Sequence, residues 1–388
     1  MRKKRFLIVT SDAGYGHRSA ALSVAKALEI LYPDQVESLV SNPIQETHTP
    51  TVMKPIEKGY DRSVRFSPGL YRLSYEVSDS RLVSEVVEGA LTLMLQKIMA
   101  DTIDEFKPDL ILNTNEMFNN PIGRVLQDAD PKIPAFTVVT DLADVHSLWF
   151  SSEPDRFYIA NEWVKVKALE SGVPEDKLVI SGIPVSPDFA LNQVDKQALR
   201  GSLGLDPSRL TLLFVGSSRV SNLQEYLQAL EHVATPVQAV VIAGGNDELY
   251  RDLLGSHYDF PLEVRNFERN VPQWMMASDV LVTKAGGLIL SEGLAAGLPI
   301  LLIDYLPGQE EGNVRYLLSY QAGALVQNVG EFRAVVSYWL EEGGIRLNQI
   351  ARASAALGHP EAALTIAKAL WDAVTLQSEP RLHPSETS

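Results

Sequence analysis

A short apolar run near the amino terminus leads directly into a glycine turn and then a helical pattern. Residues 6–9 (FLIV) are followed by SDAGYGH, which contains Gly14 and Gly16, and by ALSVAKALEIL. A buried strand that ends in small residues before a helix is typical of a parallel βα unit, whose turn can bind phosphate. A dinucleotide site would need only backbone at this place. The titratable ring of His17 therefore indicates a reaction beside the turn.

The same alternation of apolar β-rich segments and amphipathic helical segments continues along the chain and predicts an α/β protein. GIPVSPDFALNQ (residues 182–193) interrupts the alternation with two prolines, so we place a domain boundary there. Each half opens with a strand and a small-residue turn, RFLIVTSDAG and LTLLFVGSSR. The sequence predicts two Rossmann-like, doubly wound domains, residues 1–185 and 186–373, that face each other across a cleft, and a flexible tail, residues 374–388.

Strands are predicted in both halves from short apolar runs bounded by turn residues. They are residues 5–10, 36–41, 109–113, 135–140, 156–160 and 177–181 in the first half, and 211–215, 237–243, 262–266, 279–283 and 299–303 in the second.

Composition excludes several classes of protein. The chain has no cysteine, which removes disulfides, thiolate nucleophiles, zinc ribbons and iron–sulfur clusters. A net charge of −15 disfavours nucleic acid as a partner. No segment approaches the roughly 20 apolar residues of a membrane span, and the run after the basic start MRKKR is too short for a signal peptide. We expect a cytoplasmic protein whose membrane contact, if any, is local.

A second glycine turn lies in DVLVTKAGGLILSEGLAAGLPILLIDYLPGQEEGN (residues 279–313). The strand stops at Lys284, and Gly286 and Gly287 leave backbone N–H groups uncovered at the start of a helix, where a diphosphate can bind. Glu292 lies farther along that helix, and a carboxylate there can accept hydrogen bonds from two ribose hydroxyls. This segment predicts a nucleotide site.

The loop after the next strand is rich in polar side chains. Gln309, Glu310 and Asn313 follow PILLIDYLPG and should lie beside the same cleft, because parallel strands end at one edge of the sheet. Amide and carboxylate groups suit the hydroxyls of a sugar. The alternative is a loop with solvated polar side chains.

These motifs resemble glycosyltransferase family 28, most closely the branch of monogalactosyldiacylglycerol synthases and bacterial diacylglycerol glucosyltransferases. The segment from TKAGG to GQEEGN is similar to the nucleotide-sugar motif of that family, DAGYGHRSAA to its amino-terminal glycine loop, VVTDLADVHSLWF to its TDL…H…W segment, and SGIPVSPDF to its interdomain turn. The resemblance implies a GT-B architecture, a UDP-hexose donor on the second domain and a diacylglycerol acceptor on the first. It also implies inversion at the anomeric carbon and no cofactor or metal.

Transfer from a sugar diphosphate requires a base for the acceptor hydroxyl and stabilisation of the departing UDP. His17, with an ordinary pKa near 6.5, is the predicted base, and Asp141 is either a rival base or the group that orients it. Preorganised donors at the helix start can take the place of a metal. The predicted donor-binding residues are Gly14, Gly16, Ser217, Arg219, Lys284, Gly286, Gly287, Glu292, Gln309, Glu310 and Asn313.

The chain departs from the family pattern in two places. Asn115 stands where the family usually has a histidine, and an amide cannot take up a proton. FVGSSRVSN has serines where the family tends to have glycines, which puts Ser218 and its neighbours near the diphosphate. Asp128 and Asp130 look like an acidic metal-binding triplet, but DADPK is more typical of a solvated turn.

Basic and aromatic residues alternate in KPIEKGYDRSVRFSPGLYR (residues 54–72). This pattern suits the interface of an anionic bilayer, although a solvated loop or a helix packed on the first domain remains an alternative. Residues 82–106 predict a core-facing amphipathic helix. The predicted membrane and acceptor residues are Tyr60, Arg62, Arg65, Phe66 and Tyr71.

Three other functions compete with this interpretation. A dinucleotide oxidoreductase should have an acidic residue at the end of its second strand, but QVESLVSNP has Glu37 at the start and Ser41 and Asn42 at the end. A catalytically silent GT-B regulator and an enzyme for an undecaprenyl-linked or other lipid both stay open. So do the choice between glucose and galactose and the oligomeric state.

Overall fold

The computed structural model describes residues 2–12, 15–44, 95–127, 129–152, 154–192, 195–216 and 223–376. The first half of the chain forms a six-stranded sheet in the order β2-β1-β3-β4-β5-β6. Every pair of neighbouring strands is parallel. The strands are β1 (Lys4–Val9), β2 (Val36–Ser41), β3 (Leu110–Asn113), β4 (Ala135–Val138), β5 (Arg156–Ile159) and β6 (Leu178–Ile180).

The second half forms another six-stranded parallel sheet, in the order β12-β11-β10-β7-β8-β9. Its strands are β7 (Leu210–Val215), β8 (Val237–Ile242), β9 (Leu262–Arg265), β10 (Val280–Lys284), β11 (Ile300–Asp304) and β12 (Gly323–Leu325). The predicted pair of doubly wound sheets is confirmed, and the predicted strands agree with the observed ones to within one or two residues. Strand β12 was missed.

The helices connect and cover the strands. In the described part of the chain they are α1 (Tyr15–Leu31), α2 (95–106), α3 (Asn119–Leu126), α4 (Glu162–Glu170), α5 (Asp188–Leu191), α6 (Lys196–Ser202), α7 (Leu223–Ala229), α8 (Asp247–Gly255), α9 (Val271–Ala277), α10 (Gly287–Ala295), α11 (Glu311–Ser319), α12 (Val329–Leu340), α13 (Ile345–Leu357) and α14 (Ala362–Thr375).

Strands inside each sheet are mostly apolar and mostly buried, because helices cover both faces. All four residues of β3 and all six of β8 are buried. Helix α2 buries Ile98 and Ile103 in the core of the first half, as predicted for its face, whereas the rest of the predicted helix lies outside the described residues. No helix in the described ranges is long and apolar enough to span a membrane.

The last helix, α14, packs on the first sheet although it lies far along the chain. Trp371 stacks on Tyr32, the residue after α1, with ring centroids 4.2 Å apart. Lys4 Nζ donates to the carbonyl of Val374 at 3.1 Å. The predicted domain ranges were set by position along the chain and stay a prediction, whereas packing places this helix with the first half. It continues to Thr375, inside the predicted tail.

The carboxyl ends of the two sheets face each other. A β-carbon on Gly16 of α1 would lie 3.7 Å from Leu288 Cβ of α10, and one on Gly287 would lie 3.5 Å from the carbonyl oxygen of Thr140. One apolar cluster includes Trp149 from the first half and Leu290 from the second. The helix starts after β1 and β10 are therefore neighbours, as predicted for a site between two facing sheets.

Candidate active site

His17 lies in the first turn of α1, where the ends of three adjacent strands fix its ring. Nδ1 is 2.6 Å from Thr140 Oγ1 and 3.1 Å from the carbonyl oxygen of Thr114. A carbonyl only accepts hydrogen bonds, so the ring hydrogen resides on Nδ1 and the lone pair on Nε2. This arrangement leaves Nε2 to act as a base.

The surroundings of His17 keep it neutral but ready to take up a proton. Burial lowers its pKa, while the charge of Asp141 and the bond to the Thr114 carbonyl act in the opposite direction. A neutral imidazole is the basic form, and a nearby carboxylate stabilises the imidazolium after proton transfer. The ring therefore has the properties of a general base near neutral pH.

Asp141 is the second predicted catalytic residue, and it follows β4. Its pKa is raised to about 6, because burial and the Glu116 carboxylate raise it by more than His17 and a bond from Trp149 lower it. Trp149 Nε1 donates to Asp141 Oδ2 at 2.7 Å, and its ring lies 6.1 Å from the His17 ring. The ring of His17 is oriented by Thr114 and Thr140, whereas the Asp141 carboxylate accepts from the buried Trp149 and from the backbone of His146.

Glu116 belongs to the same cluster and was missed by the sequence analysis. It begins the 3₁₀ turn Glu116–Phe118 after β3. Its Oε2 is buried and has no hydrogen-bond partner among the described residues. Burial raises its pKa, and His146 opposes that shift. A signal existed in the sequence, since an acidic residue just past a buried strand lies at the functional edge of a parallel sheet.

Asn115, which replaces the histidine of the family pattern, has a structural role in this edge. Its Oδ1 accepts from the N–H of Met117 at 3.1 Å and so caps the 3₁₀ turn. Its Nδ2 donates to Ser11 Oγ at 3.0 Å, which links the ends of β3 and β1. The oxygen and the nitrogen of the amide both form hydrogen bonds that hold the loops around His17.

The second half contributes a helix start without a side-chain cap. Gly286 is the N-cap of α10 and Gly287 its first residue, so the first N–H groups of the helix carry the positive end of its dipole. A β-carbon on Gly286 would lie 3.3 Å from Lys284 Nζ. Backbone donors and a cation thus converge at one point, the arrangement that binds a diphosphate.

Lys284 and Glu310 form an ion pair beside this turn. The other carboxylate oxygen of Glu310 accepts from the N–H of Leu306 at 2.8 Å, and the residue is buried. Asn313, also buried, donates from Nδ2 to the carbonyl of Ala285 at 2.9 Å. Glu310 and Asn313 therefore fix the loop against the turn after β10. A donor contact from either one stays a prediction.

Glu292, in contrast to Glu310, forms no ion pair with any of the described residues. It is half-buried in α10, about 7.5 Å along the helix from Gly287 at 1.5 Å per residue. Burial alone raises its pKa to about 7. In the described part of the chain nothing donates a hydrogen bond to its carboxylate, so its oxygens are available to hydroxyl groups.

The structure brings His17, Asp141, Lys284, Gly286 and Gly287 to one seam between the sheets. Gly16 lies in the same seam against α10, and Gln309 lies in the loop before α11. The other predicted positions lie outside the described residues; they are Gly14, Ser217, Arg219, Asp128, Tyr60, Arg62, Arg65, Phe66 and Tyr71.

Comparison with known proteins identifies the family. The model of the monogalactosyldiacylglycerol (MGDG) synthase family matches residues 17–185. Monogalactosyldiacylglycerol synthase 2, chloroplastic, of Arabidopsis thaliana is 30% identical over 377 residues, which cover 95% of this chain and 80% of that protein. The chain belongs to the monogalactosyldiacylglycerol synthase family. It is therefore a UDP-sugar-dependent glycosyltransferase.

Solved structures share the fold at much lower identity. MurG of Acinetobacter baumannii superposes with a TM-score of 0.59 at 14% identity and covers 95% of this chain and 99% of its own. MnaA of S. aureus, solved with UDP, has a TM-score of 0.58 at 15% identity and covers 97% and 99%. The fold is GT-B, as predicted.

Proposed function

We propose that this glycosyltransferase moves a galactosyl group from UDP-galactose to diacylglycerol and inverts the anomeric centre. Its relatives are named monogalactosyldiacylglycerol synthases, which supports the galactosyl group and the diacylglycerol acceptor. The observation that carries the proposal is the contact between the starts of α1 and α10, with Gly16 against Leu288 and Gly287 against Thr140. Because of this contact, the proposed base lies on one side of the cleft and the proposed diphosphate-binding turn, Gly286 and Gly287, lies on the other.

In the proposed reaction the acceptor hydroxyl attacks the anomeric carbon as the bond to the diphosphate oxygen breaks. Nε2 of His17 takes the hydroxyl proton, and Asp141 stabilises the resulting imidazolium. The electron pair of the broken bond leaves with UDP. Its charge is met by the N–H groups at Gly287 and by Lys284. One base and one departing group on opposite sides of the sugar suit a single displacement with inversion.

The same geometry supports a reaction without a metal. Helix α10 and Lys284 supply positive charge where a metal-dependent transferase would use a divalent cation. We also propose that the enzyme acts at the cytoplasmic face of a membrane, where diacylglycerol resides. The basic and aromatic segment of residues 54–72 is the candidate for that contact.

The test is a turnover assay with UDP-galactose and UDP-glucose in separate reactions, each with diacylglycerol in mixed micelles. Lipid mass, released UDP and the anomeric configuration of the product are measured. A β-linked galactolipid formed from the α-linked donor supports the proposal. A glucolipid changes the sugar, UDP release without glycolipid changes the acceptor, and tight UDP binding without turnover makes the protein a regulator.

Membrane contact is tested separately by sedimentation with vesicles of anionic or neutral lipid. Replacement of Arg62 and Arg65 by Ala should weaken binding to the anionic vesicles more than binding to the neutral ones. Equal binding by the variant and the parent enzyme would remove this segment from the proposal.

A further inference from the structure

The start of α11 is capped by a residue from the other half of the molecule. Glu310, at the N-cap of this helix, supplies no side-chain cap. Instead Asp144, in the loop after β4, accepts the N–H of Gly312 at 2.6 Å through Oδ2. Its Oδ1 accepts from Arg315 at 3.0 Å. An anion at this place also interacts favourably with the helix dipole.

The close approach depends on Gly312 having no side chain. A β-carbon there would lie 2.2 Å from Asp144 Cγ, so the carboxylate would have to move away and lose the bond. Gly312 is buried, and the cap lies at the contact between the two halves. The pairing therefore exists only when the two halves are together.

Helix α11 in turn holds the loop that flanks the diphosphate turn. Asn313, one residue beyond the capped Gly312, donates to the carbonyl of Ala285. Glu310, two residues before Gly312, pairs with Lys284. On the other side, Asp144 lies three residues after Asp141 in the same loop. The Asp144 carboxylate thus joins the loop after β4, which also holds Asp141, to helix α11.

We propose that Asp144 is a positioning residue that couples closure of the cleft to order in the donor loop. When the halves close, Asp144 completes the first turn of α11, and the helix then holds residues 284–286 in the arrangement that binds the donor. UDP and closure therefore favour each other. The inference rests on the proposed function only in taking the donor to be a UDP-sugar.

Another contact of the same interface should keep the Asp144 variants folded. Trp163 of α4 packs edge-on against Tyr316 of α11, with ring centroids 5.4 Å apart, and does not involve the carboxylate. Arg315 provides a matched control. It is 67% exposed, and an exposed ion pair contributes little, so its loss should change UDP affinity by less than about fivefold.

The experiment compares Asp144→Ala, Asp144→Asn and Arg315→Ala with the parent enzyme. UDP affinity is measured by calorimetry, and cleft closure by small-angle scattering with and without UDP. We expect Asp144→Ala to weaken UDP binding about tenfold, as for loss of a hydrogen bond to a charged group, and to reduce the UDP-dependent decrease in radius of gyration. Asp144→Asn keeps an acceptor oxygen. It should therefore retain most of the UDP affinity and most of the UDP-dependent decrease in radius of gyration. KM for the donor should rise more than kcat falls, because His17 is untouched.

Gly312→Ala tests the coupling from the other side. Alanine favours a helix over glycine, so a purely local effect on α11 would stabilise the protein. We expect weaker UDP binding despite this gain.

Parent-like UDP affinity in Asp144→Ala, or weaker affinity with an unchanged scattering response, would overturn the proposal. Both measurements use UDP alone, so they stand even if the sugar or the acceptor is not the proposed one.

Discussion

The two sheets have the same number of parallel strands, but their facing edges carry different chemistry. The first edge gathers three ionisable side chains, His17, Glu116 and Asp141, and the charges of the first two shift the pKa of Asp141. The second edge presents backbone N–H groups at Gly287 and a cation, Lys284, already paired. Proton transfer needs titrating groups held close together, whereas diphosphate binding needs bare backbone and fixed charge. In the proposed reaction, one architecture serves both tasks by dividing them between its halves.

Two glutamates on the second edge sharpen this contrast. Glu310 is buried with both oxygens bonded, to Lys284 and to the N–H of Leu306. Glu292 is half-buried, and burial raises the pKa of its carboxyl to about 7. The first fixes the loop, and the second retains its capacity for a ligand. Their places in the sequence motif do not distinguish these roles.

The largest expected effect is the loss of the base. His17→Ala should lower turnover about 10²- to 10⁴-fold, the usual contribution of a general base, and leave UDP affinity unchanged. Steady-state kinetics with saturating donor measures the first effect. A rate close to that of the parent enzyme would remove His17 as the base and move that role to Asp141 or to another group.

Replacing Glu292 by Gln should weaken UDP binding about tenfold or more, because a hydrogen bond to a charged group is lost. Ribose hydroxyls favour the ionised carboxylate, so UDP binding to the parent enzyme should release a proton and weaken as the pH falls below about 7. Calorimetry in two buffers of different ionisation enthalpy measures the proton. Affinity independent of pH in the parent enzyme would contradict this assignment.

The same carboxyl predicts a trend in the stability of the protein without ligand. Its pKa rises from 4.5 to about 7 on folding, so the folded state binds more protons between these values. Its contribution to stability is fully present below pH 4.5 and is lost as the pH rises to about 7. Thermal unfolding across this range should show a shallower decline in Glu292→Gln than in the parent, and equal slopes would argue against the shifted pKa.

Two substitutions around Asp141 should act in opposite directions. Trp149→Phe removes the hydrogen bond that lowers the Asp141 pKa, and Glu116→Gln removes a charge that raises it. The acid limb of the pH–rate profile should move up in the first variant and down in the second, by about one unit or less. UDP affinity serves as the control and should not change. Movement in the same direction in both variants would exclude Asp141 as the titrating group.

The smallest expected effect is that of a chelator. If the start of α10 and Lys284 stabilise the departing UDP, turnover after exhaustive EDTA treatment should equal that before it. A loss restored by Mg²⁺ or Mn²⁺ would show that the second edge needs a cation and would revise its assigned chemistry.

Much of the fold could be predicted from the sequence because parallel strands inside a sheet are mostly apolar, as in LILN of β3 and VQAVVI of β8. Strand β12 was missed because it has only three half-buried residues at a sheet edge, GAL. The placement of α14 on the first sheet also could not be predicted, since helical periodicity shows which face is apolar but not which surface covers it.

The candidate site was predicted only in part for a related reason. His17 and Asp141 stand at strand ends within motifs, so their edge could be predicted. Thr114 and Thr140 lie 97 and 123 residues from His17 and reach it only because β1, β3 and β4 are neighbours. Asp144 lies 168 residues from Gly312. Partners at such separations follow from strand order and domain packing, which local sequence does not specify.

The division of tasks between the two edges is tested most directly by measuring the single-turnover rate and the UDP dissociation constant side by side for His17→Ala and Glu292→Gln. We expect the first variant to lose rate and keep UDP affinity, and the second to lose UDP affinity and keep its rate at saturating donor. If both variants lose the same quantity, the two edges do not have separate roles.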